Sequence, residues 1–341
     1  MRVAILANTF PPDGRGGAEQ ITWLQVEELA AQGHDVRVWA PRSEQTGDVS
    51  TMRSDHIHVK RFPSKFSRLA QMHPLARLWF HLVTDLVPIM DLVEEILAWK
   101  PNVLISHNLT GCGIGTPSMV QRKGIPWMHI LHDIQLTEPS GQLYATDVRH
   151  PLKRLWRAFW ARYRKAIFFG KPTILISPTS WLLAWHQGYG FRGLDHRVLP
   201  NPMELHPTSD RIRSYPGTLL FVGRLSEDKG FDDLLELVPL VESGEIRTIR
   251  IIGDGPMRPQ VLKIRDRRIV CDGVRTPSEV RQAIRESELL VAPSKLLENQ
   301  QTILLEAMAE GTPVIATDVG GTQETLQATG CPLIAPHEDV P

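Results

Sequence analysis

The chain has 341 residues, of which 42% are apolar and 22% charged, and its formal net charge is zero. It is long enough for two domains, its neutrality argues against nucleic-acid binding, and its apolar runs are shorter than the roughly 20 residues that span a bilayer. Three scattered cysteines, Cys112, Cys271 and Cys331, argue against a disulfide framework and favour a reducing cytoplasm.

The zero net charge hides an asymmetry between the two parts of the chain. Through residue 200 there are 23 Lys and Arg against 16 Asp and Glu, and the remainder holds 15 against 22. The first part therefore carries +7 and the second −7. This opposition predicts two domains with different partners.

Apolar strands alternate with helical patterns along the chain, and the first strand is too short to be a signal-peptide core. The predicted strands are Val3–Ala7, Asp35–Ala40, Val103–Ser106, Trp127–Leu131, Thr173–Ser177, Thr218–Val222, Thr248–Ile252, Leu289–Ala292 and Val314–Thr317. The predicted helices are 18–32, 85–98, 152–168, 277–287 and 301–310. Continuous Val, Ile and Leu-rich strands separated by helices predict α/β domains with parallel sheets.

A segment rich in proline and polar residues, Leu199–Asp210, is the predicted linker. It divides the chain into an N-terminal domain, residues 1–206, and a C-terminal domain, residues 207–341. In such α/β domains, ligands bind at the carboxyl ends of the strands.

Two glycine-rich loops follow predicted strands but lack the dinucleotide fingerprint Gly-x-Gly-x-x-Gly. Counting from Gly14 and Gly16, the third place is Glu19. Counting from Gly253 and Gly255, the third place is Arg258. These departures disfavour NAD or FAD, and the absence of a Walker lysine disfavours phosphoryl transfer from ATP.

The loop Gly223–Gly230 follows the strand Thr218–Val222 and contains two cations, Arg224 and Lys229. A cation pair at a strand end in an acidic domain can neutralise a diphosphate. The alternative is two solvated surface cations.

Two glutamates stand eight positions apart, Glu298 before the predicted helix 301–310 and Glu306 inside it. A carboxylate at the N-terminus of a helix can accept hydrogen bonds from hydroxyls, and the free N–H groups there suit a phosphate. Together they fit a sugar nucleotide. By itself, Glu306 is equally consistent with a surface helix carboxylate.

These residues, taken in order, resemble glycosyltransferase family 4, whose members have the GT-B fold. The matching motifs are Gly16-Gly17-Ala-Glu19, His132-Asp133, Pro200-Asn201, Gly223-Arg224 with Lys229, Gly253-Asp-Gly-Pro256, Pro293-Ser294, the two glutamates, Gly311-Thr-Pro-Val and Gly320-Gly321. The resemblance implies two Rossmann-like α/β/α domains that face each other across a cleft.

The resemblance also implies roles for individual residues. Arg224 and Lys229 would bind and stabilise the leaving diphosphate, Glu298 would hold the donor sugar, and His132 would lie beside that sugar. The further donor-binding residues are Gly16, Gly17, Gly253, Gly255, Val274, Asn299, Gln300, Gln301, Thr302 and Glu306. For His132 by itself, a structural role is the alternative.

The predicted reaction is transfer of a hexose from a UDP- or GDP-linked sugar to a hydroxyl of a glycan or lipid-linked acceptor. No Asp-x-Asp motif occurs, so the two cations would replace a metal and no further cofactor is expected. Retention of configuration would follow from same-face internal return. The alternatives are a GT-B epimerase or phosphorylase, and a non-catalytic partner that binds a sugar nucleotide.

Two departures from the family pattern stand out. Asn299-Gln300-Gln301 replaces the Gly-Phe-Gly of many relatives, so contacts there are expected to differ. The sequence also ends at Pro341, where relatives usually continue into helices, so either the C-terminal domain is short or a further C-terminal tail belongs to it.

Two basic segments with interleaved aromatic residues, 151–165 and 60–77, predict peripheral contact with anionic lipid at the inner face of the membrane. No acidic residue lies between Asp147 and Asp195, or between Asp55 and Asp85. The alternative for 151–165 is an ordinary amphipathic helix whose apolar face packs on the sheet.

Overall fold

The computed structural model describes residues 1–13, 16–43, 51–54, 56–167, 170–203, 215–244, 246–327 and 334–335. The chain divides into two compact units. Unit 1 comprises Met1–Gln142 and Pro151–Pro202, and unit 2 comprises Leu143–His150 and Met203–Pro341. The predicted boundary between residues 206 and 207, most of the predicted linker and the chain end lie outside the described residues.

In its described residues, unit 1 contains a sheet of eight strands. They are β1 Arg2–Leu6, β2 Asp35–Pro41, β3 Thr51–Ser54, β4 Ile57–Phe62, β5 Val103–Ser106, β6 Trp127–Ile130, β7 Ile174–Ser177 and β8 Asp195–Val198. The main helices are α1 Gly17–Ala31, α2 Pro74–Trp79, α3 Met90–Ala98, α4 Thr116–Arg122, α5 Pro151–Ile167 and α6 Ser180–Gly188. A 3-10 helix at Lys65–Gln71 and a π-helical turn at Phe80–Thr84 flank α2.

The strands of unit 1 lie in the order β3-β4-β2-β1-β5-β6-β7-β8, with every pair parallel except β3–β4. The order reverses between β1 and β5, which makes that point the topological switch. Buried apolar residues of β1, β2 and β4 form the core beneath α1, as expected for strands covered by helices.

In its described residues, unit 2 contains a sheet of six strands. They are β9 Tyr215–Val222, β10 Thr248–Ile252, β11 Ile269–Gly273, β12 Ser287–Ala292, β13 Val314–Thr317 and β14 Ile334–Ala335. The helices are α7 Phe231–Leu235, α8 Val238–Ser243, α9 Arg258–Val261, α10 Pro277–Glu286, α11 Thr302–Ala309 and α12 Thr322–Gln327.

Unit 2 has the strand order β11-β10-β9-β12-β13-β14, and all its strand pairs are parallel. This is the order of a dinucleotide-binding Rossmann sheet, in which the switch point lies between the first and fourth strands. Here those strands are β9 and β12. Ligands are therefore expected where the loops after β9 and β12 begin.

The structure corrects one predicted helix. The helix predicted at 85–98 begins only at Met90. Pro88 disfavours helical geometry at the residue before it. The Asp85 carboxylate instead accepts a hydrogen bond from the Gly111 N–H at 2.5 Å, which ties this segment to the loop after β5.

Five strands, β3, β4, β8, β11 and β14, were not predicted from the sequence. In β4 the side chains of His58 and Lys60 alternate with buried residues, and β8 is largely exposed. Neither strand therefore has the continuous apolar run that identifies a buried parallel strand.

Candidate active site

The loops after β9 and β12 touch through their backbones at the switch point of unit 2. Gly230 has φ 67°, and a Cβ there would lie 1.7 Å from the carbonyl oxygen of Pro293. The Lys295 N–H donates to the Asp228 carbonyl oxygen at 3.1 Å. Only glycine permits this approach, so Gly230 sets the spacing between the two loops.

The contact between the loops aligns a cation with a carboxylate. Lys229 Nζ lies 2.5 Å from Glu298 Oε1, and Ser294 Oγ donates to the same oxygen at 2.8 Å. Both charged side chains are partly buried, so solvent screens the pair less than it would screen a surface pair. The structure thus brings together two residues that the sequence analysis predicted for the donor.

A second ion pair holds Arg224. Its guanidinium Nη2 donates to Asp228 Oδ2, one turn further along the same loop. Burial alone would raise the pKa of Asp228, but the nearby Ser226 hydroxyl and the Arg224 guanidinium outweigh burial and lower that pKa. Asp228 is therefore ionised near neutral pH, and it holds a guanidinium that is about half exposed.

The Gly253–Gly255 turn packs against the loop after β9. Gly253 has φ 138°, and a Cβ there would lie 1.8 Å from the Gly223 carbonyl oxygen. At Gly255 a Cβ would lie 2.4 Å from the Leu225 carbonyl oxygen. These two glycines therefore allow close packing of two loops. Val274, predicted to face the nucleoside, follows β11 and is exposed.

A glycine pair after β13 supports the backbone of Glu298. The Gly321 N–H donates to the Glu298 carbonyl oxygen at 2.8 Å. Gly320 has φ 63°, and a Cβ there would lie 2.1 Å from the same oxygen. The carboxylate of Glu298 is thus positioned through its main chain as well as its side chain.

The start of α11 carries most of the remaining predicted donor residues. Gln301 is the N-cap residue, Thr302 begins the helix, and Asn299 is buried in the preceding loop beside the partly buried Gln300. The Gln301 side-chain Nε2 is buried and has no hydrogen-bond partner among the described residues. A buried amide donor of this kind is suited to a ligand oxygen.

Glu306 lies in the second turn of α11. Burial raises the pKa of its carboxyl, and the charge of Arg281 opposes that rise only in part. Burial distinguishes Glu306 from the solvated surface carboxylate that was the alternative interpretation.

The remaining predicted residues belong to unit 1. Gly16 is the N-cap of α1 in extended conformation, and Gly17 begins that helix. A Cβ on Gly16 would lie 2.6 Å from Glu19 Oε2, so this glycine makes room for the first-turn carboxylate. The base of the loop is held by an ion pair of 3.1 Å between Arg61 and Asp13.

His132 follows β6 and contacts His107, which follows the neighbouring strand β5. The distance from His107 Nδ1 to His132 Nε2 is 2.7 Å. Burial lowers the pKa of His132 to about 4, so the ring is neutral at pH 7. Next to it, Asp133 accepts hydrogen bonds from the Asn108 amide at 2.9 Å and the Gln135 N–H at 2.7 Å.

Four residues with structural roles in these loops were given no role by the sequence analysis. Ser294, Asp228, His107 and Gly320 contact predicted residues directly. Ser294 and Gly320 occur in the quoted motifs and His107 directly follows a predicted strand, so their positions were available as signals. Asp228 offered only its i+4 spacing from Arg224.

In the two segments predicted to contact lipid, the exposure of the side chains differs from what the sequence pattern indicates. Helix α5 exposes Leu152, Leu155, Trp156 and Phe159 and buries Arg157, Trp160 and Arg164. The alternative, an apolar face packed on the sheet, is therefore wrong for these four residues.

In the segment 60–77, two of the cations are paired with carboxylates. Lys60 pairs with Glu95 at 2.7 Å, and Arg61 is buried against Asp13. These two residues do not form part of an open basic surface. No helix in the described part of the chain is both long and apolar enough to cross a membrane.

Comparison with known proteins covers both units. The profile described as "Glycosyltransferase Family 4" matches residues 15–206, and that described as "Glycosyl transferases group 1" matches residues 216–341. A GDP-mannose-dependent alpha-mannosyltransferase of Mycobacterium tuberculosis (strain CDC 1551 / Oshkosh) is 27% identical over 99% of this chain and 82% of its own. The protein of the same description from Mycolicibacterium smegmatis is 23% identical over 96% and 82%.

Among solved structures, sucrose-phosphate synthase from Thermosynechococcus elongatus aligns with a TM-score of 0.68. The two sequences are 18% identical, and the alignment covers 99% of this chain and 86% of the other. The likeness confirms the predicted α/β fold class, GT-B.

Proposed function

The chain belongs to glycosyltransferase family 4, and from this premise we propose that it transfers a hexose from a nucleoside-diphosphate sugar to a hydroxyl of a glycan or lipid-linked acceptor, with retention of configuration. The observation that carries the proposal is the Lys229–Glu298 pair at the switch point of unit 2, beside the Arg224–Asp228 pair. It combines cations for a diphosphate with a carboxylate for sugar hydroxyls at the place where Rossmann sheets bind ligands.

The charges of this site match the donor. Arg224 and Lys229 each face a carboxylate, so they are positioned before any substrate arrives. When the diphosphate binds, it supplies the anionic charge that the two cations stabilise, and Glu298 accepts hydrogen bonds from sugar hydroxyls. The N-terminus of α11 adds N–H donors for the phosphate.

The proposed step is a same-face internal return. The bond between the anomeric carbon and the diphosphate oxygen breaks, and its electron pair stays on the leaving oxygen. The acceptor hydroxyl oxygen then bonds to the same face of that carbon, and its proton passes to the leaving oxygen. Positioned cations lower the barrier because the developing charge lies on the diphosphate, and removing one such group typically costs about 10²- to 10³-fold in kcat.

We propose GDP-mannose as the first donor to test, because two relatives that align along nearly the whole chain are GDP-mannose-dependent mannosyltransferases. UDP-linked hexoses are the second choice. The base would lie against the Gly253–Gly255 turn and the backbone near Val274, where main-chain groups rather than charged side chains provide the contacts.

Product analysis tests the proposal. The protein is incubated with GDP-mannose or a UDP-hexose, with and without lipid-linked acceptors, and the anomeric configuration of the product is read by NMR. We expect an α-linked product that forms only when acceptor is present. Conversion of the sugar nucleotide without acceptor would favour an epimerase, and binding without turnover would favour a non-catalytic partner. An inverted product would contradict the internal-return step.

We also propose that α5 and α2 form a surface that contacts anionic lipid. The exposed apolar residues of α5 lie on a helix joined to the turn after α2 by the hydrogen bond from Tyr163 Oη to the Leu82 carbonyl oxygen, 3.3 Å long. Helix α2 itself exposes Leu75, Leu78 and Trp79. With the exposed Lys153, Arg154, Arg162 and Lys165 of α5 beside them, these residues match an interfacial surface that inserts apolar side chains among anionic headgroups.

Vesicle flotation tests this surface. We expect binding to vesicles of phosphatidylglycerol and phosphatidylcholine, weaker binding to phosphatidylcholine alone, and loss of binding in Leu155→Ser with Phe159→Ser. The control is Leu262→Ser in unit 2, because Leu262 and Leu155 are equally exposed, at 66% and 67%. Equal binding of both variants, or none by the wild type, would refute the surface.

A further inference from the structure

The two histidines that follow β5 and β6 form a pair whose hydrogen-bond direction has a chemical consequence. His107 and His132 stand at the carboxyl ends of adjacent parallel strands, which brings their rings together. The ring centroids are 5.0 Å apart with 21° between the planes, and the distance from Nδ1 of His107 to Nε2 of His132 is 2.7 Å, so the two rings lie end to end. At this distance one nitrogen must donate a proton to the other.

Both rings are neutral at pH 7. Burial lowers the pKa of His132 to about 4, and burial together with the neighbouring His132 and His129 lowers the pKa of His107 well below its usual value. Each ring therefore carries a single N–H, on one nitrogen or the other. Two arrangements are possible, and they leave different nitrogens of His132 protonated.

The environment of His107 Nε2 distinguishes the two arrangements. This atom is buried and has no hydrogen-bond partner among the described residues. If His107 accepted the bond at Nδ1, its proton would sit on Nε2 as a buried and unpaired N–H. If His107 donates from Nδ1, Nε2 holds only a lone pair. Orphaned buried N–H groups are rarer in proteins than under-satisfied acceptors, so donation from Nδ1 is favoured.

We propose that His107 is a positioning residue that donates its Nδ1–H to His132 and so holds His132 as the Nδ1–H tautomer. The inference rests on the proposed function and refines the role of His132 there. In this tautomer His132 Nε2 is committed to His107, and the Nδ1–H is a neutral donor suited to a sugar or phosphate oxygen. His132 then acts as a hydrogen-bond donor, because its Nδ1 has no lone pair with which to take a proton.

Three substitutions of His107 test separately whether its hydrogen bond with His132 is needed and which ring donates it. His107→Asn keeps an N–H donor close to the place of Nδ1. His107→Leu removes the bond. His107→Asp presents a carboxylate, which can only accept near neutral pH and therefore demands a proton on His132 Nε2.

The first readout is the tautomer of His132, observed by two-bond ¹H–¹⁵N correlation of histidine-labelled protein without substrate. We expect Nδ1–H in the wild type and in His107→Asn, and Nε2–H in His107→Asp. The wild-type spectrum alone decides the proposal even if His107→Leu fails to fold, because Nε2–H in the wild type would overturn it.

The second readout is the division of transferase kinetics between kcat and KM. We expect His107→Leu to lower kcat about tenfold with the donor KM changed less than about threefold, as for loss of one hydrogen bond to a positioned group. His107→Asn should restore most of that loss. Equal activity of His107→Leu and the wild type would contradict the positioning role.

A matched control is His186→Leu. His186 is another buried histidine of unit 1, and its Nδ1 contacts the Leu182 carbonyl oxygen within its own helix at 2.9 Å. We expect this variant to lose stability and leave the His132 tautomer unchanged. If neither wild type nor variants transfer sugar, the proposed function fails, while the tautomer spectra still decide this inference.

Discussion

Both units carry their candidate site residues at the carboxyl ends of parallel strands, but these residues are charged in unit 2 and neutral in unit 1. In unit 2 the switch-point loops present charged groups that are paired with each other, Lys229 with Glu298 and Arg224 with Asp228. In unit 1 the loops after β5 and β6 present His107 and His132, which burial keeps neutral. A doubly wound sheet thus supports a charged site or a neutral one, depending on the loops at the carboxyl ends of its strands.

The difference fits the ligands that we propose for the two sites. A diphosphate is anionic, and positioned cations stabilise it without reorganisation at the moment of reaction. A sugar hydroxyl is neutral, and a neutral donor or acceptor can hold it without placing an unpaired charge in a buried site. The proposed roles thus account for the carboxylates that pair with the cations of unit 2, and for the neutral His107 that contacts His132 in unit 1.

The largest expected effect comes from changing the charged residues of unit 2. Lys229→Ala should lower kcat about 10²- to 10³-fold, because the leaving diphosphate loses a positioned cation. Glu298→Ala should likewise abolish transfer. Both variants should remain folded by circular dichroism.

The control for Lys229 is Lys295→Ala. Lys295 lies in the neighbouring loop and pairs with Asp232 and Asp233 at 2.6 and 2.8 Å. Because Lys295 pairs with Asp232 and Asp233, and not with Glu298, among the ion pairs of the described residues, we expect its removal to retain transfer within about threefold. A comparable loss in both variants would show that Lys229 acts through general loop stability.

The buried neutral histidines should make the stability of unit 1 sensitive to acid. Burial lowers the pKa of His129 to about 3 and of His132 and His186 to about 4, and holds that of His107 well below its usual value. The unfolded chain takes up protons near pH 6.5 and the folded unit does not. Stability is therefore full above pH 6.5 and is lost as pH falls towards 4, by about 2 kcal/mol for each of His129, His132 and His186 between pH 7 and 5.

Three carboxyls of unit 1 oppose this trend. Burial raises the pKa of Asp85 and of Asp133 to about 6 and also raises the pKa of Glu138, so these groups favour the folded state as pH falls. The four histidines outnumber them, and the net change remains a loss. All nine tryptophans precede residue 186, so urea unfolding followed by tryptophan fluorescence reports on unit 1. Equal stability at pH 7 and 5 would contradict neutral burial of the histidines.

A smaller effect tests the backbone support of Glu298. In Gly320→Ala the alanine would have a positive φ, and its Cβ would clash with the Glu298 carbonyl oxygen. We therefore expect the substitution to lower the free energy of unfolding by about 1–3 kcal/mol and to weaken nucleotide-sugar binding about tenfold. Gly311→Ala is the control, because its φ is 68° and no atom lies within 4 Å of the added Cβ. That variant should lose about 1–2 kcal/mol and keep its affinity. Equal affinities would show that Glu298 tolerates displacement.

The smallest expected effect is that of changing Asp228, the carboxylate that pairs with Arg224. Asp228→Asn keeps the size of the side chain and removes its charge, so the guanidinium stays in place less often. We expect kcat/KM for the donor to fall about tenfold, the equivalent of about 1.4 kcal/mol. An unchanged value would mean that Arg224 is positioned by the substrate alone.

The sequence predicted those elements whose physical signal is local. The strands Val103–Ser106, Thr248–Ile252 and Val314–Thr317 match residue for residue, because each is a short run in which Val, Ile, Leu or Ala residues predominate and are buried or partly buried. The exposed strand Asp195–Val198 was missed because it has no such run. The switch points followed from the strand order, which the sequence alone does not determine.

The candidate site residues also divide into those with a local signal in the sequence and those that depend on contacts between distant loops. Arg224, Lys229 and Glu298 could be named from the sequence because they follow strands with a recognisable spacing, and their roles remain predictions. The contacts of Gly320 with the Glu298 backbone, and of His107 with His132, join residues at least 22 positions apart in different loops. Such contacts depend on loop closure, which spacing along the chain does not encode.

The central claim, that the loops at the β9–β12 switch point bind the donor, is tested most directly by calorimetric titration of GDP, UDP and their sugar conjugates into the wild type and Lys229→Ala, with and without EDTA. We predict selective binding of one nucleotide to the wild type, unchanged by EDTA and weakened at least tenfold in the variant. Binding that is equal in both proteins, or absent from the wild type, would contradict the assignment of this site.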